Sequence, residues 1–218
     1  MNVVFDFGAV LFGWRPGELL AQSFPEAAAT PQQAKQLAHA MFGHEDWHNF
    51  DRGTLSMDAV AQRTAERLGL DRAAMLQLVS SIGERLTPMD DMVDLLAQLH
   101  ALRQPAESGV PGKHDTLKLY YLSNMPVPYS RTLEQRHDFL QCFDGGIFSG
   151  DVLHIKPDPA IYQLLQTRYA LEPAQTLFID DLHANVQAAC ALGWHGIHFE
   201  SAAQLQTHAV FRQLIYKK

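Results

Sequence analysis

Short apolar runs alternate with longer amphipathic segments along most of the chain. The short runs are rich in β-branched and aromatic residues, and polar or glycine-containing turns follow most of them, which predicts strands. They cover residues 3–7, 117–122, 146–148, 177–179 and 196–199. The amphipathic segments have the apolar spacing of one helix face and cover residues 89–102, 157–169 and 184–192. Strands that alternate with helices predict a doubly wound α/β fold around a parallel sheet.

One block interrupts this alternation. Between about Pro16 and Thr87 there is no convincing strand, and helical periodicity covers residues 32–42, 57–68 and 72–82. We therefore expect an all-helical subdomain, residues 16–87, inserted into a core domain of residues 1–15 and 88–218. Residues 103–116 form a second interruption, rich in Pro, Gly and polar residues. We expect an exposed connection there and assign it no function.

Composition narrows the class of protein. With 218 residues, 47% hydrophobic and 19% charged, the chain can bury the core of one ordinary domain that carries a smaller insertion. The formal charge of −7 and the lack of a long basic run argue against a nucleic-acid partner. Two cysteines, Cys142 and Cys190, cannot form a disulfide framework and suit a reducing cytosol.

Targeting segments are not expected either. The apolar start of the chain lacks the basic flank and the cleavage site of a signal peptide. No uncharged apolar stretch reaches the length of about 18 residues that a membrane span needs. These features predict a cytoplasmic protein without a membrane partner.

Polar residues stand where the predicted strands end, at the edge where open parallel sheets bind their ligands. We expect them to converge, with Lys156 and Pro157 opening the helix after the third strand. Gly8, two residues after the acid that ends the first strand, is expected to form a tight turn with positive φ. The candidate site residues are Asp6, Gly8, Ser123, Asn124, Lys156, Asp180, Asp181 and Asn185.

This set of side chains fits phosphoryl transfer. A strand-end carboxylate can attack phosphorus and form an aspartyl-phosphate. The attacked group is itself an anion, so the reaction needs a cation, and Mg²⁺ suits carboxylates together with a phosphate oxygen. Lys156 can neutralise the nucleophile and the phosphoryl oxygens, while Ser123 and Asn124 can donate hydrogen bonds to those oxygens.

Four segments, in order along the chain, resemble the four motifs of the haloacid dehalogenase (HAD) superfamily: VVFDFGAVLF, YYLSN, IKPDPAIY and FIDDLHANVQAACALGW. The helical block lies where that family places its C1 cap over a Rossmann-like core. The resemblance implies that Asp6 is the nucleophile and a Mg²⁺ ligand, together with the Gly8 carbonyl and Asp181. It also implies that Asp180 and Asn185 support the metal, largely through waters. The residues that it assigns to the phosphoryl group are Ser123, Asn124 and Lys156.

Gly8 departs from the pattern of most phosphatases in this superfamily, which have a second Asp there as general acid and base. Loss of a positioned general acid typically costs ~10²–10⁴-fold in rate. Substrates with good leaving groups, such as anomeric sugar, aryl and acyl phosphates, would suffer less. A subgroup that resembles bacterial α-glucose-1-phosphatases also has Asp-x-Gly, which favours a Mg²⁺-dependent phosphatase acting on a small phosphorylated metabolite, with sugar phosphates preferred.

The predicted cap contains one motif that resembles a zinc site. Residues 44–48 match the H-E-x-x-H pattern of zinc proteases, but the residues that follow do not supply the expected third ligand. We expect instead that this stretch lies over the active site. There the residues expected to contact the substrate beyond its phosphate are His44, Trp47, His48 and Arg52.

Two other functions stay open. One is a metal-independent 2-haloacid dehalogenase, although paired acids without a cation would repel an anionic haloacid. The other is a phosphate-binding module with a weakened active site, for which Gly8 is the best evidence. In each case the partner is a small molecule, and the chain can be a monomer or a homodimer.

Overall fold

A computed structural model of the chain describes residues 1–103 and 117–215. Its strands are β1 (Asn2–Phe5), β2 (Lys118–Ser123), β3 (Gly145–Phe148), β4 (Thr176–Asp180) and β5 (His195–His198). The helices from β1 to β2 are α1 (Pro16–Ser23), α2 (Pro31–Phe42), α3 (Glu45–Arg52), α4 (Met57–Leu68), α5 (Arg72–Arg85) and α6 (Asp90–Ala101). The later helices are α7 (Val127–Arg136), α8 (Pro159–Tyr169), α9 (His183–Ala191), α10 (Ala202–Thr207) and α11 (Ala209–Ile215).

The five strands form one parallel sheet in the order β3-β2-β1-β4-β5. Val3 is the register partner of Leu119 on β2 and of Leu177 on β4, so β1 lies at the centre. The chain moves outward from β1 to β3 and then returns to β4, which makes the β1/β4 boundary a topological switch point. Ligands of open α/β sheets bind outside the carboxyl ends of the strands at such a point. The predicted Rossmann-like fold class is confirmed.

Successive side chains of the strands enter two different cores, as the two-residue repeat of a strand requires. Val3 and Phe5 belong to a cluster that includes α6 residues and the helices that precede it. Val4 belongs to a second cluster with Tyr162 of α8 and Ala189 of α9. Because both faces of the sheet are buried, the strands read as near-continuous apolar runs.

The helical block between β1 and α6 contributes no strand to the sheet. Predicted helices at 32–42, 57–68 and 72–82 correspond to α2, α4 and α5. Their N-termini are capped by Thr30, Ser56 and Asp71, whose side chains accept backbone N–H bonds. Helices α1 and α3 have no counterpart among the predicted helices. The bounds of a separate cap, 16–87, stay a prediction.

One predicted boundary is wrong in a way that affects the site. The helix expected to open at Lys156 and Pro157 begins at Pro159, because the Asp158 side chain accepts the Ala160 N–H at 2.9 Å and caps it there. Lys156 therefore lies in the loop before the helix.

Two other expectations concern the remainder of the chain. Most of the 103–116 connection lies outside the described residues, apart from Arg103, whose guanidinium donates to Asp144 at 2.7 Å. Both cysteines are free thiols. Within residues 1–103 and 117–215, no helix has the length and apolarity needed to cross a membrane.

Candidate active site

The strand-end residues surround one cavity of about 240 Å³ at the carboxyl edge of the sheet. Loops after β1, β2 and β4, together with the loop before α8, bring them there. The predicted residues that line this cavity are Asp6, Gly8, Ser123, Asn124, Lys156, Asp181 and Asn185. Asp180 lies beneath it, fully buried.

Lys156 is the electrostatic centre of the site. Its ammonium lies 2.8 Å from Asp6 Oδ1 and 2.6 Å from Asp180 Oδ2, and its side chain is 1% exposed. The ammonium also lies 5.4 Å from the centroid of the Phe178 ring. Burial lowers the pKa of Lys156, but the neighbouring carboxylates raise it by more. The lysine is therefore charged and forms ion pairs with both acids.

Asn124 positions the lysine loop. Its Nδ2 donates to the Lys156 carbonyl at 3.0 Å, and its Oδ1 accepts the Lys156 N–H at 2.8 Å. This paired contact joins the end of β2 to the loop before α8. The amide oxygen of Asn124 is therefore used inside the protein.

Asp180 is saturated with protein donors. Its Oδ1 accepts the Leu182 N–H at 2.8 Å, and both of its oxygens lie within 3.1 Å of Asn185 Nδ2. With Lys156 on Oδ2, these bonds occupy a fully buried carboxylate. Asn185 is held in turn by Tyr162, whose hydroxyl donates to the Asn185 carbonyl at 3.0 Å.

The acids of the site fit a divalent cation. Asp6, Asp180 and Asp181 each have an oxygen within 4.8 Å of the others, and of these acids Asp6 and Asp181 line the cavity. Oxygen ligands are those that Mg²⁺ prefers. Burial, with the charges of Asp180 and Asp181, raises the pKa of Asp6 to about 7 although Lys156 opposes this. Burial and Asp180 raise the pKa of Asp181 to about 6. One lysine does not balance three acids, and a bound cation would.

Gly8 does not have the conformation expected of it. The positive φ in this turn belongs to Ala9, at 56°, and Gly8 has no positive φ. The turn forms because Leu11 and Phe12 both donate their N–H groups to the Phe7 carbonyl. A Cβ at Gly8 would meet no heavy atom within 4 Å, so the space beside Asp6 is open.

An aromatic wall from α2, α3 and the segment before α1 covers the cavity. Trp14, Phe42 and Trp47 stack edge to face, with ring centroids 5.0 Å and 4.6 Å apart along the row. Leu182 lies at the same cavity and is 55% exposed, which leaves a large apolar side chain in solvent beside the site. The other apolar lining residues are Ile82, Leu86, Met125, Pro126 and Tyr129.

The predicted cap contacts divide into two groups. Trp47 and His48 line the cavity, whereas His44 and Arg52 are absent from its lining. The Arg52 guanidinium donates to Asn49 Oδ1 at 2.5 Å. The His44 ring accepts the Asp46 N–H at 3.1 Å and caps α3, so the H-E-x-x-H spacing reflects a helix start.

Asp51 also lines the cavity, although no sequence pattern predicted it. It lies in the last turn of α3, is partly buried and faces the same cavity as Asp6 and Lys156. Burial, with the charge of Asp6, raises its pKa well above the usual range of a carboxyl group although Lys156 opposes this. In the sequence it looks like any polar residue of an amphipathic helix, and no motif marks it.

Comparisons with known proteins agree with this geometry. The family model described as haloacid dehalogenase-like hydrolase matches residues 3–193. The sesquiterpene phosphatase astK of Aspergillus oryzae is 27% identical over 212 residues, which cover 97% of this chain and 95% of that protein. The phosphoglycolate phosphatase of Escherichia coli is 29% identical over 153 residues, or 59% of this chain and 61% of that protein.

The fold has solved counterparts as well. A HAD family enzyme from Bacteroides thetaiotaomicron, crystallised with magnesium and inorganic phosphate, has a TM-score of 0.66 to this chain at 16% identity. The match covers 91% of this chain and 93% of that one. The sequence-based assignment to the superfamily is confirmed, while the α-glucose-1-phosphatase-like subgroup stays a prediction. With the family model matching most of its length, the chain belongs to the haloacid dehalogenase-like hydrolases.

Proposed function

We propose that the protein is a Mg²⁺-dependent phosphatase that acts on a small phosphorylated molecule through an aspartyl-phosphate on Asp6. The observation that carries this proposal is the cluster of Asp6, Lys156 and Asp181 in one cavity at the switch point of the sheet. Two phosphatases among its relatives, and the magnesium and phosphate bound to a protein of the same fold, support it.

Asp6 is the nucleophile in this proposal. Its Oδ1 accepts the Phe7 N–H at 2.7 Å and lies 2.8 Å from Lys156 Nζ. Among the described residues nothing binds Oδ2, which is left for in-line attack on phosphorus. The attack forms the Asp6–phosphorus bond and breaks the bond to the ester oxygen. Water then hydrolyses the aspartyl-phosphate.

The surrounding groups hold the phosphoryl oxygens and their charge. Mg²⁺ bound by Asp6, the Gly8 carbonyl and Asp181 would neutralise negative charge that develops on those oxygens. Lys156 contributes a fixed positive charge, and buried Ser123 can donate its hydroxyl. Asn124 is assigned a positioning role, because its side chain holds the backbone of Lys156.

The lining favours an apolar leaving group. Trp14, Phe42, Trp47 and Leu182 offer carbon surface beyond the phosphate site, whereas a sugar would need several hydrogen-bonding partners for its hydroxyls. We therefore favour aryl or other apolar phosphate esters over the sugar phosphates that the sequence favoured. The relative from A. oryzae, a sesquiterpene phosphatase, agrees with this preference.

The two alternatives are less compatible with the charges. A dehalogenase would bring an anionic haloacid to Asp6 with Asp181 beside it and one lysine to balance both. A decayed binding module would not need the buried Lys156 pinned between two acids at 2.8 Å and 2.6 Å, because an unneeded buried ion pair is costly to keep.

The test is phosphate release from phenyl phosphate, sugar phosphates and nucleotides, with Mg²⁺ and with a chelator. Asp6→Asn is the inactive variant, and Asp94→Asn, an exposed acid on α6, is the matched control. We expect turnover that the chelator abolishes, that Asp94→Asn retains and that Asp6→Asn loses by at least ~10³-fold. Equal release by the wild type and Asp6→Asn would overturn the proposal, and release that survives the chelator would favour metal-independent chemistry.

A further inference from the structure

The active site lacks a proton donor where a phosphatase needs one. The leaving oxygen must gain a proton unless it leaves a stable anion, and a positioned general acid contributes ~10²–10⁴-fold to such a step. Gly8 cannot serve, and the space beside it is open. Among the cavity's other acids, Asp6 and Asp181 belong to the nucleophile and metal set.

Asp51 is the remaining carboxyl group in the cavity lining. Its carboxylate forms no hydrogen bond or ion pair with any residue in the parts of the chain that the structure describes. The other titratable side chains that face the cavity are His48, Tyr129 and Lys156. Tyr129 already donates its hydroxyl to the Val79 carbonyl at 2.6 Å, so it has no proton to spare.

The backbone of Asp51 is fixed relative to the segment after β2, which contains Asn124 and Met125. Ser149 Oγ donates to the Asp51 carbonyl at 2.6 Å and accepts the Met125 N–H at 2.8 Å. Two residues further along, Gly53 packs on Gly150, where a Cβ would lie 2.6 Å from the Gly150 oxygen. One serine thus joins Asp51 on the helical block to the residue that follows Asn124.

The surroundings of Asp51 favour the protonated form of its carboxyl group. Burial is the largest effect and raises the pKa of its carboxyl group; the charge of Lys156 opposes this, and the charge of Asp6 adds to it. A protonated carboxyl group beside the ester can give its proton to the leaving oxygen. The same group, once ionised, can take a proton from water.

We propose, resting on the phosphatase function above, that Asp51 is the general acid and base of the reaction, supplied by α3 in place of the residue missing at position 8. In the first step the Asp6 oxygen bonds to phosphorus, the bond from phosphorus to the ester oxygen breaks, and the Asp51 proton passes to that oxygen. In the second, the Asp51 carboxylate takes a proton from water while the water oxygen attacks phosphorus and Asp6 is released. Each cycle consumes one water and returns the proton to Asp51.

This assignment changes the expected substrate range. If no residue replaced the general acid that is missing at Gly8, turnover would be restricted to esters with good leaving groups. With Asp51 as the acid, esters of ordinary alcohols are hydrolysed too, provided that the alcohol fits the apolar cavity. Benzyl phosphate has a poor leaving group and p-nitrophenyl phosphate a good one, while both present an aromatic ring to the same wall.

The test compares Asp51→Asn with the wild type on these two esters. We expect kcat/KM for benzyl phosphate to fall ~10²–10⁴-fold and that for p-nitrophenyl phosphate to fall less than ~10-fold. Because the second step also needs the base, Asp51→Asn should release a burst of nitrophenol equal to the enzyme concentration, followed by slow turnover. Asp51→Glu should recover part of the benzyl phosphate activity.

Asp58→Asn, an exposed acid at the start of α4, is the matched control and should behave as the wild type. The inference would be overturned if Asp51→Asn, with unchanged thermal melting, lost kcat/KM equally on both esters and showed no burst. Asp51 would then be a substrate contact. Unchanged activity of Asp51→Asn would overturn it as well. A wild type that hydrolyses no ester would overturn the phosphatase function itself, and the inference with it.

Discussion

At the scale of single residues, the site is organised by one buried cation between carboxylates. Lys156 contacts Asp6 and Asp180 at distances below 3 Å with almost no solvent contact. A buried ion pair gains little over apolar packing, but removal of one partner leaves an uncompensated charge. The arrangement therefore makes the stability of the carboxyl edge depend on this lysine, in addition to any part it takes in the reaction.

Lys156→Gln should lower the free energy of unfolding by about 3–5 kcal/mol in the absence of divalent metal, because two buried acids lose their counter-charge. Urea unfolding followed by circular dichroism measures this. Lys118→Gln is the matched control, since Lys118 is half exposed and lies 3.0 Å from Asp144; it should cost less than about 1 kcal/mol. Similar losses in both variants would show that Lys156 is not the buried anchor described above.

At the scale of elements, the end of α3 packs closely on the segment that follows β3. The helix α3 ends at Gly53, whose φ of 82° and contact with Gly150 exclude a side chain. The helix α4 ends at Gly69 with a similar φ of 65°, but there a Cβ would meet no atom within 4 Å. The two glycines share a left-handed conformation, but only Gly53 has a close neighbour. Substitution at Gly69 therefore measures backbone strain alone, and substitution at Gly53 measures strain together with the contact between α3 and Gly150.

Gly69→Ala should cost about 1–2 kcal/mol of folding free energy. An alanine is strained in the left-handed conformation, and its Cβ would have no steric clash there. Gly53→Ala should cost a further ~1–3 kcal/mol, because its Cβ would also push α3 away from Gly150. Urea unfolding gives both values, and the displacement of α3 should reduce kcat/KM in Gly53→Ala alone. Equal costs for the two substitutions would mean that α3 does not pack on the core at this point.

At the scale of the whole molecule, helical block and sheet edge together form the walls of one cavity around an acidic site. Three clustered acids and a single lysine leave this edge negative in a chain whose formal charge is already −7. A cation that binds only the folded chain stabilises it by mass action. Metal binding is therefore measurable without any knowledge of the substrate.

Mg²⁺ at about 100 times its dissociation constant should stabilise the fold by about 2.7 kcal/mol, which corresponds to a rise of about 5–10 °C in Tm for a chain of this size. Thermal melting with Mg²⁺ and with a chelator measures the rise. Asp181→Asn should remove most of it, whereas Asp94→Asn should keep it. If Mg²⁺ did not change the Tm of the wild type, this would contradict the assigned metal site.

The acids and the lysine of the candidate site could be named from the sequence because each stands at a strand end or in a loop beside one. Asp6 and Asp181 follow β1 and β4, Ser123 is the last residue of β2, and topology alone brings such positions to one edge. Asp51 could not be found in this way, because its place in the cavity depends on how α3 packs. Arg52, next to it, was expected in the cavity and instead contacts Asn49.

Two local expectations failed for the same kind of reason. The turn after Asp6 places its positive φ at Ala9, since the hydrogen bonds to the Phe7 carbonyl fix that conformation. The helix after Lys156 begins later than its apolar pattern indicates, since Asp158 caps it. In both cases a specific hydrogen bond overrode what the residue type or the periodicity predicted.

The sequence by itself determined the fold class and the residues that stand at the strand ends, because periodicity and order along the chain are local properties that a single sequence displays. Only the tertiary structure decided which helical-block residues reach the site, how the Asn124 amide is used, and that Lys156 bonds to Asp180. Those outcomes rest on contacts such as Ser149 with Asp51, which are 98 residues apart. Contacts over that distance form only when the whole chain packs, so no local pattern encodes them.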